Sequence, residues 1–491
     1  MKPNRLLFLA LLAALAGGCA VGPNYQRPAV NTLTQWSEPL AGGESNAPAA
    51  LTAWWKNFHD AELDSLIDRT VQSNLDLRIA QARVREARAQ YGIAAADLWP
   101  SADLSGSYAR TGTSHHQPVL GSLPIPPGVP FENDVYQAGF DASWELDVFG
   151  GKRRATEAAR DEVTAVEFGR RATLITLLGD VARNYIDVRG YQRQLAITRD
   201  NIKAQAQALA ITRDRFTNGL TSDLDVQQAA TLLATTKAEV PSLETALQAS
   251  IHRLGVLLGQ PPGMLLVELA KTAPIPAAPP RVPVGLPSDL LLRRPDVQQA
   301  ERQLAAATAN IGVARADLFP KFYLTGLGGF ESISASDWFT AGSRFWSAGP
   351  TVQWKIFDAG RIRANIKVQN ARQEQALAAY EKTVLTAFED VENSLVAYAN
   401  EQLRRQSLEN AVTSSRQSLA LANKLYANGL TDFVNVLEAE RSLYQAQDAL
   451  VQSDRTVSTD VVALYKSLGG GWETAGKATS LSQAQTTSLS N

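Results

Sequence analysis

The sequence predicts an α+β membrane protein in which one structural unit occurs twice. Three observations predict it: motifs that return at fixed offsets, two very long stretches without proline, and four short runs of alternating apolar and polar residues. Asp97-Leu98-Trp99-Pro100 returns as Asp317-Leu318-Phe319-Pro320, and Asn218-Gly219-Leu220-Thr221 returns as Asn428-Gly429-Leu430-Thr431. An internal repeat of this kind indicates pseudo-symmetry, so the two copies should share their elements.

The composition excludes several classes of protein. The 47 Lys and Arg residues nearly balance the 49 Asp and Glu residues, so no basic surface indicates a nucleic-acid partner. The single cysteine, Cys19, excludes an intrachain disulfide. The sequence has no Gly-x-Ser-x-Gly, His-Glu-x-x-His or Walker motif. We therefore expect no enzyme activity, no cofactor and no metal site, and we interpret His115-His116 as part of a solvated loop.

The first residues predict export. Lys2 and Arg5 flank the start of an apolar run at 6–16, which is too short to span a bilayer and is typical of a signal peptide covering residues 1–18. The stretch that ends in Cys19 resembles a bacterial lipobox, whose cysteine receives an N-acyl chain and an S-diacylglycerol. In lipoproteins of this kind, Ala20 after the cysteine is typical of delivery to the outer membrane. The alternative is ordinary cleavage that leaves Cys19 as a free thiol.

Four alternating runs predict strands, a pair in each copy at about 100–148 and 320–357. In the clearest run, apolar residues occupy every second position from Tyr136 to Leu146. About ten residues with one apolar and one polar face fit a membrane barrel strand with lipid outside and water inside. A half-buried strand of a soluble sheet shows the same alternation. Since no run of 18 apolar residues follows the signal, closed strands are the expected way across a membrane.

Two exceptionally long helices are predicted. Residues 361–427 contain neither Gly nor Pro, which predicts a helix of about 100 Å, and its counterpart lies at about 152–217. Each ends at an Asn-Gly pair, since Gly adopts the left-handed conformation that closes helices. Thr221 or Ser222, and Thr431, are expected to cap the return helices. An apolar stripe on the second long helix predicts packing against other helices: Leu377, Tyr380, Val384, Ala387, Val391 and Leu395.

These elements divide the chain into six parts. They are the signal peptide 1–18, an N-terminal lipidated segment 19–60, repeat 1 at 61–259, a Pro-rich extended connector 260–287, repeat 2 at 288–469 and a flexible tail 470–491. In each repeat a single helix, at about 61–97 or 288–317, precedes the strand pair. A long helical hairpin, 152–259 or 361–469, follows it.

The chain resembles the TolC-like outer-membrane factor family, in its NodT/OprM-like efflux lipoprotein branch. The resemblance extends from Cys19 to Gly469 and rests on the order and spacing of these motifs: Cys19-Ala20-Val21-Gly22-Pro23-Asn24-Tyr25, Trp54-Trp55, Leu292-Arg293-Arg294-Pro295-Asp296-Val297, Ala316-Asp317-Leu318-Phe319-Pro320 and the two Asn-Gly-Leu-Thr tips. It implies a TolC-like homotrimer with a 12-stranded β-barrel, four strands per subunit, continued by a long α-helical periplasmic barrel.

The resemblance also implies a function and partners. Such a trimer is the outer-membrane exit duct of a tripartite efflux pump and passes small molecules passively. It works with a periplasmic adaptor (a membrane fusion protein) and an inner-membrane transporter, expected to be of the RND type. The alternatives are a duct for type I protein secretion, which shares the fold, and a periplasmic coiled-coil scaffold, which would need no barrel strands.

Finally, the resemblance implies site residues at the hairpin tips. Asp225, Asn435 and Glu438 match positions of the closed periplasmic gate, and Asn435 departs from the family's aspartate. Asp223 and Asp432 are interpreted as helix caps. The implied contacts with the adaptor are Gly219, Leu220, Thr221, Gly429, Leu430 and Thr431.

Overall fold

The elements of the chain occur in the same order twice. The computed structural model describes residues 20–29, 35–38, 44–45, 51–112, 114, 132–279 and 282–474. The predicted signal peptide, Cys19, His115-His116 and the end of the predicted tail lie outside them. The first copy contains α1 (Ala61–Ser73), α2 (Leu75–Ala96), β1 (Ser101–Gly112), β2 (Glu132–Leu146), α3 (Gly151–Thr217) and α4 (Asp223–Leu257). The second contains α5 (Pro287–Arg293), α6 (Pro295–Ala316), β3 (Lys321–Ser332), β4 (Arg344–Gln353), α7 (Arg361–Ala427) and α8 (Phe433–Ser467).

Equivalent helices of the two copies have equal lengths. The long helices α3 and α7 have 67 residues each, the return helices α4 and α8 have 35, and α2 and α6 have 22. The two hairpins therefore come from the same architecture, although most of their residues differ. None of the described helices combines the length and the hydropathy that a bilayer crossing requires.

The helix before each strand pair is broken, and the expectation of one continuous helix was wrong. At Asn74 the side chain accepts a hydrogen bond from the Leu77 amide at 2.9 Å and donates to the Leu257 carbonyl at 2.8 Å, which starts a new helix. At Arg294 the backbone is extended, because the ring of Pro295 disfavours a helical conformation in the residue before it.

Four antiparallel strands form one sheet in the order β1-β2-β3-β4. The register pairs Leu104 with Phe140, Phe140 with Gly328, and Gly328 with Trp346. The apolar positions predicted for the separate strands therefore fall on one face, because side chains of paired residues point to the same side. Within the described chain, β1 and β4 each pair along one edge only.

The chain groups into two compact units, each assembled from separate segments. We name them the strand unit, Met1–Pro28, Arg85–Ala165 and Glu301–Ala379, and the hairpin unit, Ala29–Val84, Val166–Ala300 and Tyr380–Asn491. Both repeats contribute to both units. The N-terminal segment, predicted as one part at 19–60, is also divided between them.

In the strand unit, the residues after Cys19 pack tightly on α3 and α6. The Val21 amide donates to the Phe149 carbonyl at 3.0 Å, and Arg154 donates to the Asn24 side chain at 2.6 Å. Gly22 has a φ of +102°, and a Cβ there would lie 2.5 Å from the Gly312 Cα. This contact accounts for a glycine at both positions, since neither leaves room for a side chain.

The hairpin unit contains a large aromatic core. Trp54 stacks on Tyr465 with ring centroids 5.3 Å apart, and the Tyr185 hydroxyl donates to Asp60 at 2.9 Å. The predicted stripe of α7 is buried from Tyr380 to Leu395, while Leu377 is half-buried. The aromatic residues bury the most apolar area in this core, and burial of that area is the main stabilising term.

The connector 260–287 is more ordered than its composition predicts. It contains short 3-10 helices at Pro262–Leu265 and Glu268–Ala270, and Leu265 and Leu269 are fully buried. Gln192 of α3 donates to the Leu269 carbonyl at 2.6 Å. The expectation of an extended connector was wrong over this stretch, because two leucines anchor it to the core.

Arg294, from the motif Leu292-Arg293-Arg294-Pro295-Asp296-Val297, joins three helices. Its guanidinium donates to Asp296 at 2.7 Å, to Asp390 of α7 at 2.9 Å and to the carbonyl of Ser467, at the end of α8, at 3.1 Å. The side chain is 10% exposed. The planar fork of an arginine satisfies several acceptors that a lysine ammonium cannot satisfy together.

Arg294→Lys should therefore destabilise the hairpin unit by on the order of 2–4 kcal/mol, because buried acceptors lose charged hydrogen bonds. The measurement is the melting temperature of the purified protein, followed by circular dichroism. Arg293→Lys is the matched control, since no described residue pairs with the Arg293 side chain. Equal melting temperatures for both variants would contradict the role assigned to Arg294.

Candidate functional sites

The two hairpin tips close in the same way. Gly219 and Gly429 have φ values of +71° and +70°, and the amides of Leu220 and Leu430 donate back to the carbonyls of Arg215 and Leu425 at 2.8 and 3.0 Å. This is the Schellman ending of a helix, in which a left-handed glycine satisfies the last free carbonyls. The Asn-Gly pairs therefore have the conformation that the sequence predicts.

The six predicted adaptor-contact residues lie at these closures. Leu220 and Leu430 are 67% and 72% exposed, and a Cβ at Gly219 or Gly429 would meet no atom within 4 Å. Apolar side chains that extend from a rigid turn into open space suit contact with another protein. Their role in docking stays a prediction.

Below each turn, the two copies use different chemistry at equivalent positions. Asp225 accepts hydrogen bonds from the Thr221 hydroxyl and the Ser222 amide, and Ser222 caps α4. At the equivalent place in α8, the Asn435 amide donates to the Thr431 hydroxyl at 2.8 Å. The predicted cap by Thr431 is absent, since the N-cap residue is Asp432 and its side chain makes no capping hydrogen bond. Asp223 is the first residue of α4 and not its cap.

Glu438 is paired with a base. Its carboxylate lies 3.0 Å from Arg441, one turn along α8, and both side chains are more than half exposed. Of the three predicted gate residues, Asp225 thus takes part in a helix cap, Asn435 is neutral, and Glu438 has a cation beside it. Their assignment to a gate stays a prediction.

The tips of the two hairpins share one apolar core. Leu209 of α3 and Val226 of α4 pack with Phe433 and Val436 of α8. Beside this core, the Arg215 guanidinium lies 4.4 Å from the centre of the Tyr426 ring, a favourable cation–π distance. The two tips are therefore joined within one subunit by burial and by a specific cross-hairpin contact.

Glu440 is a residue that the sequence analysis missed. It lies on the inward stripe of α8, seven residues after Phe433, and no described residue hydrogen bonds with its side chain. Burial raises the pKa of Glu440. Its equivalent in the first copy is Ala230, which packs against the tip core. A carboxyl group at a position that otherwise accommodates an alanine destabilises the closed tip when it is ionised. Comparison of the two repeats would have revealed this position from the sequence.

Because the folded state holds the Glu440 proton more tightly than the unfolded state, stability should fall as pH rises from 4.5, the ordinary pKa, through the raised one. Glu440→Gln should therefore raise the melting temperature at pH 7.5 and leave it nearly unchanged at pH 4. The measurement is thermal unfolding at both pH values. Glu438→Gln, which removes an exposed carboxylate, is the control and should give no such gain. A gain of equal size in the control, or none in Glu440→Gln, would contradict this role.

The exposed face of the sheet is a second candidate surface. Phe140 and Val352 are 63% and 58% exposed at its centre and near its base. At the base, Trp144 donates to the Leu98 carbonyl at 2.9 Å, and Trp354 donates to the Leu318 carbonyl at 3.1 Å. An apolar band bordered by tryptophans is typical of a surface in contact with lipid. In the described part of the chain, no three His, Cys, Asp or Glu residues are grouped to hold a metal ion.

Comparison with known proteins identifies the family. The model of the outer membrane efflux protein family matches residues 66–260 and 286–470. The chain is 35% identical to the solvent efflux pump outer membrane protein SrpC of Pseudomonas putida, over 96% of this chain and 99% of SrpC. It is 33% identical to nodulation protein T of Rhizobium leguminosarum bv. trifolii, over 95% or more of neither less than 94% of this chain and 97% of that protein.

A solved structure agrees with these sequence relatives. The outer-membrane channel OprN superposes with a TM-score of 0.85 at 35% identity, and the match covers 92% of this chain and all of OprN. The fold class predicted from the internal repeat and the strand pairs is thus confirmed. The chain belongs to the outer membrane efflux protein family, in the NodT/OprM-like branch that its motifs indicate.

Proposed function

We propose that this protein is the outer-membrane exit duct of a tripartite efflux pump and that it passes small molecules passively to the exterior. The family match over both repeats is the observation that carries the proposal. It favours efflux over the protein-secretion alternative. The exposed apolar face of the sheet counts against a periplasmic scaffold, because a scaffold surrounded by water gains nothing from it.

The working form in this proposal is a homotrimer. Strands β1 and β4 leave one edge each without a partner in the described chain, and open edges are not stable in hydrocarbon, where every backbone group needs a hydrogen bond. Three copies that join β4 of one to β1 of the next would close a 12-stranded barrel. Such a barrel has the dimensions of known outer-membrane proteins, which range upward from eight strands.

The partners in this proposal are a periplasmic adaptor and an inner-membrane transporter of the RND type. The exposed leucines at the two hairpin tips support docking of the adaptor there. The duct itself needs no energy source, since the transporter supplies the work and the duct supplies a lined path with a closed end. Asp225, Asn435 and Glu438 remain the proposed level of that closed end.

Substitution of the apolar sheet face tests the duct directly. Phe140→Asp combined with Val352→Asp should prevent assembly, because a basic residue in the midplane of a bilayer costs about 2–4 kcal/mol and an acidic one somewhat less. The measurement is single-particle imaging of protein extracted from outer membranes, where the wild-type chain should give threefold tubes with a detergent belt at one end.

The matched control is Ser105→Asp with Ser347→Asp, on the opposite face of the same strands. These positions border water in the proposed duct, so the control should assemble normally. Threefold particles from the Phe140→Asp/Val352→Asp variant, or monomeric rods from the wild-type chain, would overturn the proposal.

We also propose that Cys19 carries the N-acyl and S-diacylglycerol anchor. The support is the position of the next residue: a Cβ on Gly150, just after β2, would lie 2.6 Å from the Ala20 Cα. The start of the described chain is thus fixed at the base of the sheet, within reach of a membrane interface. One acyl chain binds membranes weakly, and several chains give a stable anchor.

Mass spectrometry of the mature protein should find an N-terminal peptide that starts at residue 19 and carries this lipid. Cys19→Ser should remove the lipid, because the hydroxyl does not replace the thiol in lipoprotein maturation, while the rest of the chain keeps its fold. An unmodified Cys19 thiol in protein purified from outer membranes would refute the anchor.

A further inference from the structure

A polar cavity of about 520 Å³ lies at the base of the strand unit. It is formed where β3 begins, β4 ends and α7 begins. Three basic residues line it, Lys321, Lys355 and Arg361. Cavities of about 300–1,000 Å³ are typical of sites for small molecules, so both the size and the lining indicate a site for a ligand.

The positive charge of this cavity is not neutralised by its surroundings. Lys321 lies 2.9 Å from Asp317, but no described carboxylate forms an ion pair with Lys355 or Arg361. The nearby Asp358 accepts hydrogen bonds from the Ile362 and Gly360 amides at 2.7 and 2.9 Å, which lower its pKa. Its carboxylate caps α7, and so two cations remain available.

One wall of the cavity is apolar. Phe319 and Ile362 contribute to the lining, and the Phe319 ring is held by stacking on Phe149 with centroids 4.5 Å apart. A fixed aromatic ring beside two free cations is complementary to a molecule that has an anionic group and an apolar body.

The first repeat shows that these cations are not required by the fold. The positions equivalent to Lys321 and Lys355 are Ser101 and Glu145. The Glu145 carboxylate lies 4.0 Å from Lys152, which also pairs with Asp97 at 3.1 Å. The same corner of the architecture is therefore acidic and internally paired in one copy and basic with two free cations in the other.

The cavity opens on the polar face of the sheet. Lys321, Tyr323 and Gln353 occupy the positions between the apolar ones of β3 and β4. If the protein is the duct proposed above, this face borders its water-filled interior, and the occupant comes from the aqueous path.

We propose that this cavity is a transit site for organic anions, in which Lys355 and Arg361 hold a carboxylate or sulfonate and Phe319 contacts its apolar body. The proposal rests on the duct function and adds a substrate class to it. In a threefold assembly the site would occur three times at one level, forming a ring of cations. Such a ring raises the local concentration of anions, and weak binding lets them leave again.

Binding by the full-length protein in a neutral detergent tests the site. The probes are radiolabelled salicylate and its neutral analogue salicylamide, measured by equilibrium dialysis. Wild-type protein should bind salicylate in preference to salicylamide, and the affinity should fall as salt is raised because exposed charges are screened. Lys355→Gln with Arg361→Gln should weaken salicylate binding about tenfold or more, since hydrogen bonds to charged groups are lost.

The matched control is Arg363→Gln with Lys367→Gln, which removes two exposed charges from the same helix outside the cavity. It should bind salicylate as the wild type does. Circular dichroism of both variants should match the wild type, because all four side chains are exposed. Equal affinity for the two probes, or equal losses in the two double variants, would overturn the site.

Imaging separates this result from the fate of the duct. Threefold particles that fail to discriminate salicylate from salicylamide would refute the anion site and leave the duct standing. Salicylate binding that depends on Lys355 and Arg361, in a protein that never forms threefold particles, would refute the duct and its transit role.

Discussion

One constraint governs the architecture: the four-stranded sheet has an apolar face and two edges that the described chain does not complete. Backbone groups need hydrogen-bond partners wherever water is excluded, and apolar side chains such as Phe140 gain by leaving water. A single chain satisfies neither requirement. Neighbouring copies and lipid satisfy both at once, which is why the proposed duct has to be an assembly and why strand register matters more here than in a soluble sheet.

The duplication supplies the scaffold, and the differences between the copies supply its chemistry. Equal helix lengths keep the two hairpins superimposable, while single positions diverge: Asp225 against Asn435, Ala230 against Glu440, Glu145 against Lys355. Each pair occupies an equivalent place with opposite or missing charge. Pseudo-symmetry therefore acts as an internal control, since a residue that differs between copies of one fold is not required by the fold.

The sequence predicted the elements that depend on local rules. The 67-residue helix α7 follows from the absence of Gly and Pro, and the tip turns follow from Asn-Gly, because these rules act within a few residues. It did not predict the break at Asn74, which depends on the distant Leu257 carbonyl, nor the acceptors that converge on Arg294. The basic cavity was missed for the same reason: Lys321 and Arg361 are 40 positions apart in the sequence, and only the fold brings them together.

Closure of the tip is best explained by packing rather than by a ring of acids. Asp225 is committed to the cap of α4 and Glu438 has Arg441 beside it, so little net negative charge is left at the predicted gate. The shared core of Leu209, Val226, Phe433 and Val436 instead ties the two hairpins together. Any opening of the duct must shift these helices against one another, and the ionised Glu440 then lowers the cost of leaving the closed packing. In this arrangement burial sets the barrier, and charge only adjusts it.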